Sequence, residues 1–448
     1  MRKKIILLLI LSCLCLIPIY SWSQYTEVLG KILDKETGEV IPFTTISLKD
    51  ASIGTCSNSS GEFIFHCPDS LKNGELKIKC IGYKTNTLMI KSFKKEEIVK
   101  IYLEPEVYEI PEVIVRPNQP TATDFVKRVI KNMHKNYQRS PYYMEGFLRD
   151  KVFNLYDNKN VRLTESAIEI VKKEFGGETN ADRVKIFEIR NSYNYSKLGG
   201  LWKEKLSQSF WGYSKKNPAY VVLQNRDYTD LATLHKLIKN DLYSINFSGM
   251  TVYDGKPVQI VDIKEEYYEF MFERKKTNSI YNLIRLYLDT ETCALLKSEY
   301  FLITKFPPEK LDGIKFHFKQ DTIGNYSVKM YENIQDKYYL KYAGNFGRIH
   351  DQPDKADKNI LYFNETELLI NKAITDKKDF DRIKHRDLLE KETPLWDMKY
   401  VYDPSFWKNY NILIDKPLDL TVQKDLEKEV PLNDQFIDAG VKNSTNSK

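Results

Sequence analysis

From residue 27 to residue 104 apolar and polar side chains alternate in short runs, and turn-forming residues cut every run. The runs are EVLGKILD (27–34), FTTISLKD (43–50), GEFIFHC (61–67), ELKIKCIGY (75–83), NTLMIK (86–91) and IVKIYLE (98–104). Alternation with period two puts one set of side chains on each face of a strand. Six or seven such strands, with turns every roughly 8–12 residues, predict a β-sandwich. ETGE (36–39) and NSSGE (58–62) read as hairpin ends, because Gly38 and Gly61 take positive φ without steric cost.

The particular residues sharpen this reading. Gly30, Asp34, Thr37 and Gly38, then Pro42, the Gly54-Thr55 step, Gly61-Glu62-Phe63, Ile81-Gly82-Tyr83 and the closing Glu112-Val113-Ile114-Val115 follow in this order. Residues 26–116 thereby resemble the carboxypeptidase-regulatory-like domain of bacterial envelope proteins. The resemblance implies a transthyretin-like sandwich and a non-catalytic accessory role. Its best-known owners are TonB-dependent outer-membrane receptors. A barrel of about 22 strands, each about 10 residues plus loops, needs several hundred residues beyond a plug. About 330 residues follow the sandwich here, so the receptor architecture is excluded.

The chain opens MRKKIILLLILSCLCLIPIYSWSQ, three cations followed by an apolar run and small residues around Trp22. This is the layout of a secretory signal peptide, residues 1–23, cleaved between Ser23 and Gln24. A signal anchor, or lipidation at Cys13 in ILSC, are the competing readings. No later stretch reaches the about 20 apolar residues that a spanning helix needs, so no transmembrane helix is expected after cleavage. Cleavage lowers the net charge from +6 to +3, too little to argue for nucleic acid. Cys56, Cys67, Cys80 and Cys293 remain, and export permits a disulfide among the first three; spacing alone leaves the pairing open.

Four prolines in EPEVYEIPEVIVRPNQP mark an extended linker, residues 105–120. A helix follows, capped by Thr121 or Thr123, with Phe125, Val129, Met133 and Tyr137 in one stripe beside Val126 and Ile130. The stripe needs a partner, and a sheet is expected. Strand runs at 142–153, 161–173, 182–190, 243–264, 268–275, 280–303, 326–334, 337–346 and 361–370 predict an antiparallel meander. Residues 227–241 read as a short helix. The thirty tyrosines favour strands as well. A helix on a curved antiparallel sheet is similar in pattern to the lipoprotein-carrier fold, which implies an apolar cavity lined by strands 257–263 and 282–288. Trp396, Phe406, Trp407 and Tyr410 crowd the end of the chain and predict an aromatic strap, with partner docking as the competing use. Residues 438–448 are small and polar, hence expected to be disordered.

No catalytic constellation emerges. His66, His134, His235, His317, His350 and His385 stand in no HExxH or zinc-carboxypeptidase spacing. The acidic loop with His350, Asp351, Asp354 and Asp357 lacks EF-hand spacing. Carboxylate pairs such as Glu265-Glu266 and Asp379-Asp381 are expected by chance among 62 acidic residues. The glycine pairs at 174–179 and 198–202 lack the strand-to-helix context of a phosphate loop.

The expectation is therefore a mainly β protein. Its order is signal peptide (1–23), sandwich (24–104), linker (105–120), an α+β domain with a curved antiparallel sheet packed on a helix (121–400), strap (401–437) and tail (438–448). No catalytic, metal or cofactor-binding residue is assigned. The expected role is exported binding or scaffolding at the periplasm or outer-membrane periphery, with an envelope protein or a lipid as partner. A periplasmic acyl-chain carrier and a carboxylate-dependent envelope-polymer hydrolase are the alternatives.

Overall fold

The computed structural model describes residues 25–49, 51–94, 97–108, 120–155, 157–172, 182–195, 217–224, 231–266, 281–303, 323–350, 361–374, 395–398, 400–413 and 422–445. The signal sequence with Cys13, most of the linker, the strand expected at 268–275 and both glycine pairs lie outside these residues. So do His317, His385, the acidic loop 351–357 and Asp379-Asp381.

Seven strands build the first unit: β1 (Tyr25–Asp34), β2 (Thr45–Leu48), β3 (Gly54–Cys56), β4 (Glu62–Pro68), β5 (Glu75–Lys79), β6 (Asn86–Met89) and β7 (Ile98–Leu103). They form two sheets, β4-β1-β7 and β3-β2-β5-β6, with β1 and β7 parallel. Ile32, Ile46, Phe63, Phe65, Leu76 and Ile78 fill the space between them. Several of the motif positions have local causes. Asp34 Oδ1 accepts the N–H groups of Glu36 and Thr37 at 2.7 and 2.8 Å, and Tyr83 Oη donates to Asp34 Oδ2 at 2.9 Å. The bond from Thr37 is the main cause that holds the Asp34 carboxyl below its usual range. Gly30 is glycine because a Cβ there would stand 2.3 Å from the Phe63 ring. Gly61 turns its hairpin at φ 72°.

The second unit is one sheet of ten strands. These are β8 (Tyr142–Asn154), β9 (Lys159–Lys172), β10 (Arg183–Asn191), β11 (Tyr243–Tyr253), β12 (Lys256–Glu266), β13 (Tyr281–Asp289), β14 (Leu295–Ile303), β15 (Ile323–Ile334), β16 (Lys337–His350) and β17 (Leu361–Ile374). Their order is β10-β9-β8-β17-β16-β15-β14-β13-β12-β11, antiparallel throughout. The expected single meander is thus two meanders. They join where β17 pairs with β8, and this leaves β10 and β11 at opposite edges. β8 and β17 carry apolar residues on both faces (Leu148 with Leu368, Phe147 with Leu369), which suits the middle of a covered sheet. Bulges interrupt several pairings and bend their strands.

Helix α1 (Ala122–Asn136) is capped by Thr121 rather than Thr123. Thr121 Oγ1 accepts from Asp124 N at 3.1 Å, and Asp124 Oδ2 accepts from Thr121 N at 3.2 Å. Its stripe of Phe125, Val126, Val129 and Met133 shares one core with Val261, Ile263, Ile284 and Leu286. These are the positions expected to line an acyl cavity, and they are buried in that shared core instead. Tyr137 ends the stripe; its hydroxyl donates to Leu295 O at 2.9 Å and accepts from Leu295 N at 3.0 Å. The helix expected at 227–241 spans Leu231–Lys239.

The tail is the clearest correction. A helix runs from Leu432 to Thr445, covering residues expected to be disordered. Its first turns dock on the β10 side of the sheet: Gln435 Oε1 accepts from Tyr193 N at 2.8 Å, and Tyr193 Oη donates to Asp438 at 2.5 Å. Tertiary contacts of this kind stabilise a helix whose composition alone does not.

Candidate functional site

Pairing register assigns each residue of the large sheet to a face. One face carries α1; the other receives the sandwich and the strap. On this second face Phe43 lays its ring 5.1 Å from Tyr342 and 6.4 Å from Phe346. Phe43 has φ 54°, rare for an aromatic residue, so the chain tolerates backbone strain to aim this ring. Ile53 bridges to Lys372, Gly82 N donates to Val252 O at 2.8 Å, and Thr85 Oγ1 donates to Asp254 at 2.8 Å. The sandwich is therefore seated on the sheet over more than one strand.

The strap completes the seam. Helix Pro404–Asn409, capped by Asp403, brings Trp407 against Phe147, and Tyr410 Oη donates to Gly146 O at 2.9 Å. Asn411 touches both units: its Oδ1 accepts from His66 N of the sandwich at 2.6 Å, and its carbonyl accepts from Asn371 Nδ2 at 2.9 Å. His66 is buried, which lowers its pKa against the opposing pull of Glu27, 3.5 Å from Nε2. His134 and His235 are exposed on helices.

Charged residues on this face are paired. Glu165 Oε1 accepts from Arg149 Nε and Nη2 at 2.8 and 2.6 Å, and Glu165 Oε2 accepts from Arg190 Nε at 2.6 Å. Arg149 also donates to Leu413 O of the strap at 2.7 Å, and Arg190 lies 4.4 Å above the Trp407 ring. Burial alone raises the Glu165 pKa, yet Arg190 and Arg149 overcome it and hold the carboxyl at about 2. Further along, Lys297 stands 2.9 Å from Glu299, which also accepts from Tyr287 and Tyr326. Burial opposes its charge, but Lys297 keeps the Glu299 carboxyl below the usual range. These groups are held as anions and are poor general acids. Glu188 differs: burial and nearby Asp403 raise its pKa, while Asp403 is kept low by its cap bonds to Ser405 and Phe406. Asp403 is occupied as a helix cap, so this pair has a structural explanation.

The helix face carries a second polar feature that sequence reading missed. Tyr300, Ser327, Asn345, Thr366, Asp150, Thr164 and Asn191 sit opposite one another in a row across seven strands, all buried. Asp150 accepts from Thr366 Oγ1 at 2.8 Å, from Asn364 Nδ2 at 3.2 Å and from Arg162 Nη2 at 2.7 Å. Arg162 stacks 3.7 Å from the Trp396 ring. Among the described residues, Arg162 Nε, Thr164 Oγ1 and Ser166 Oγ have no hydrogen-bond partner, although all three residues are buried. Polar residues at alternate positions of a long strand were legible, but a row needs the cross-strand register.

Cys56, Cys67, Cys80 and Cys293 are free thiols. Cys56 and Lys79 flank Thr45 on opposite sides, so β2 separates Cys56 from the strand leading to Cys80. Two strand spacings, roughly 9–10 Å, exceed the reach of a disulfide. Burial raises the Cys56 thiol to about 12 and the Cys67 thiol to about 11. Among the described residues no group of three His, Cys, Asp or Glu side chains is placed to hold a metal ion, and no helix is long and apolar enough to cross a membrane.

The strand order, the Asp34 turn and the seat on the sheet describe a sandwich fused to a larger β domain. Residues 28–115 match the family model of the CarboxypepD_reg-like domain, so the chain carries a carboxypeptidase-regulatory-like domain at its N-terminal side. No curated protein matches the chain. Among solved structures, a Bacteroides fragilis NCTC 9343 protein of unknown function, described as suspected to be membrane-associated, is 9% identical. That match covers 78% of this chain and 96% of the other, with a TM-score of 0.15.

Proposed function

We propose that this chain is an exported, non-catalytic binding or scaffolding protein of the bacterial envelope, working at the periplasm or outer-membrane periphery. The observation that carries this reading is the three-way seam, in which Asn411 of the strap holds both His66 of the sandwich and Asn371 of the sheet. An accessory domain fixed this way presents its free surface in a set orientation, as a scaffold requires. The ion pairs that keep Glu165 and Glu299 charged favour a structural use of these carboxylates over acid catalysis. Export rests on the signal-like leader in the sequence. The carrier alternative has less support, because the positions expected to line its cavity are buried in the core that α1 shares.

The test is co-purification from the native envelope with the tagged full chain, with and without the Phe43→Ala and Asn411→Ala substitutions in the seam. A defined envelope protein at constant stoichiometry, lost from the seam variant while both units stay folded, is the expected result. A stoichiometric lipid in the organic extract would overturn the scaffold reading in favour of the carrier.

A further inference from the structure

On the helix side of the large sheet, α1 and the helix Leu231–Lys239 touch each other and β11. Both bury their apolar stripes in one core, α1 through Phe125, Val126, Val129 and Met133, the shorter helix through Leu234 and Leu237. Their opposite sides therefore point away from the sheet, and both are exposed. On α1 that side carries Lys127, Arg128, Lys131 and Lys135; on the shorter helix it carries Lys236 and Lys239. The exposed acids beside them, among the described residues, are Asp124 and, just past the shorter helix, Asp241. Asp124 is already engaged, accepting from Thr121 and standing 3.3 Å from Lys127.

Six cations against two acids is a local segregation, because the whole chain holds 68 basic and 62 acidic residues. Lys131, Lys135, Lys236 and Lys239 have no ion-pair partner among the described residues. Exposed apolar side chains adjoin these cations. Leu242, shortly after Lys239, is 57% exposed, and Phe247 of β11 is 45% exposed. Phe247 meets the Phe125 ring of α1 at 6.2 Å, and the Arg128 guanidinium lies 5.1 Å from that same ring, so cation and exposed ring share one place. A soluble polyanion would use the charge alone. A bilayer uses both, since anionic headgroups meet the cations and the acyl boundary takes the apolar side chains.

We infer that this helix layer is a docking face for an anionic lipid bilayer, with the lysines at the headgroups and Leu242 and Phe247 entering the acyl boundary. It lies on the sheet face opposite the seam, and so goes beyond the scaffold reading without drawing on it.

Vesicle flotation tests this, using residues 24–448 so that the apolar leader cannot insert by itself. Binding to vesicles of equal parts phosphatidylglycerol and phosphatidylcholine is expected, far weaker binding to phosphatidylcholine alone, and a decline as salt shortens the screening length. A lysine near a charged surface contributes roughly fivefold, so Lys131→Gln, Lys135→Gln and Lys236→Gln together should weaken partitioning roughly a hundredfold. Lys72→Gln, Lys91→Gln and Lys100→Gln remove the same charge from exposed sites on the sandwich and should leave it unchanged. Leu242→Ser with Phe247→Ser keeps the charge and should weaken it at least about tenfold. Absence of binding to the anionic vesicles, or equal losses from the two triple variants, overturns the inference. So does binding unaffected by the serine pair at unchanged circular dichroism, which assigns the surface to a soluble polyanion instead.

Discussion

Phe43 and Tyr342 meet ring to ring at 5.1 Å across the seam, although they lie in different units and Phe43 occupies a backbone conformation that aromatic residues avoid. Phe43→Ala keeps the strain and removes the contact. Loss of a partly buried ring costs about 1–3 kcal/mol, and proteolysis of the sandwich junction should accelerate. Phe43→Gly also removes the ring but accepts φ 54° freely, so it should be less destabilising than alanine by up to about 1 kcal/mol. Chemical denaturation of the two variants side by side checks the order, and a glycine variant less stable than the alanine one would contradict the strain.

Glu165 makes the seam sensitive to acid. Its folded-state pKa of about 2 lies below the ordinary 4.5, so its contribution is complete above pH 4.5 and disappears as pH falls toward 2. The contribution is roughly 3 kcal/mol. Trp407 fluorescence followed between pH 5 and pH 2 should report release of the strap, and Glu165→Gln should be destabilised at neutral pH but lack most of this acid step.

The polar row on the helix face predicts opposite signs for neighbouring substitutions. Thr164→Val and Ser166→Ala remove buried hydroxyls that have no partner among the described residues, and should be neutral or stabilising by about 1 kcal/mol. Asp150→Ala strands Arg162 in the same interior and should cost about 3–5 kcal/mol. Thermal unfolding of the three variants distinguishes them; a large loss in Thr164→Val would mean that its hydroxyl is engaged.

The four thiols should be reduced and shielded in the native protein. Cys56 and Cys67 are buried, with pKa values raised to about 12 and about 11, so alkylation at neutral pH should be slow until denaturant is added. Mass spectrometry after alkylation without reductant should then count four modified cysteines. Two unmodified cysteines would reveal a disulfide.

Much of this molecule is written locally. Period-two runs with turn residues specified six of the seven strands of the sandwich, because a side chain's face follows from its position along its own strand; the three-residue β3 is too short to show alternation. The Asp34 turn and Gly61 hairpin act within a few residues, and so their signatures survive in the sequence. The stripe of α1 likewise announced a covered face. What tertiary structure alone decided is pairing between distant segments. Alternation names the faces of β8 and β17 but not their adjacency, which depends on matching Leu148 to Leu368 and Phe147 to Leu369 over more than two hundred residues. The seat of Phe43, the ionic grip on Glu165 and the buried row through Asp150 all follow from that register. The helix at Leu432–Thr445 is the same lesson in reverse, since small polar residues gain their structure from Tyr193 and the sheet edge. Hydrophobic periodicity fixes what a segment must bury, whereas the energy that selects its partner is spread over contacts no single segment contains.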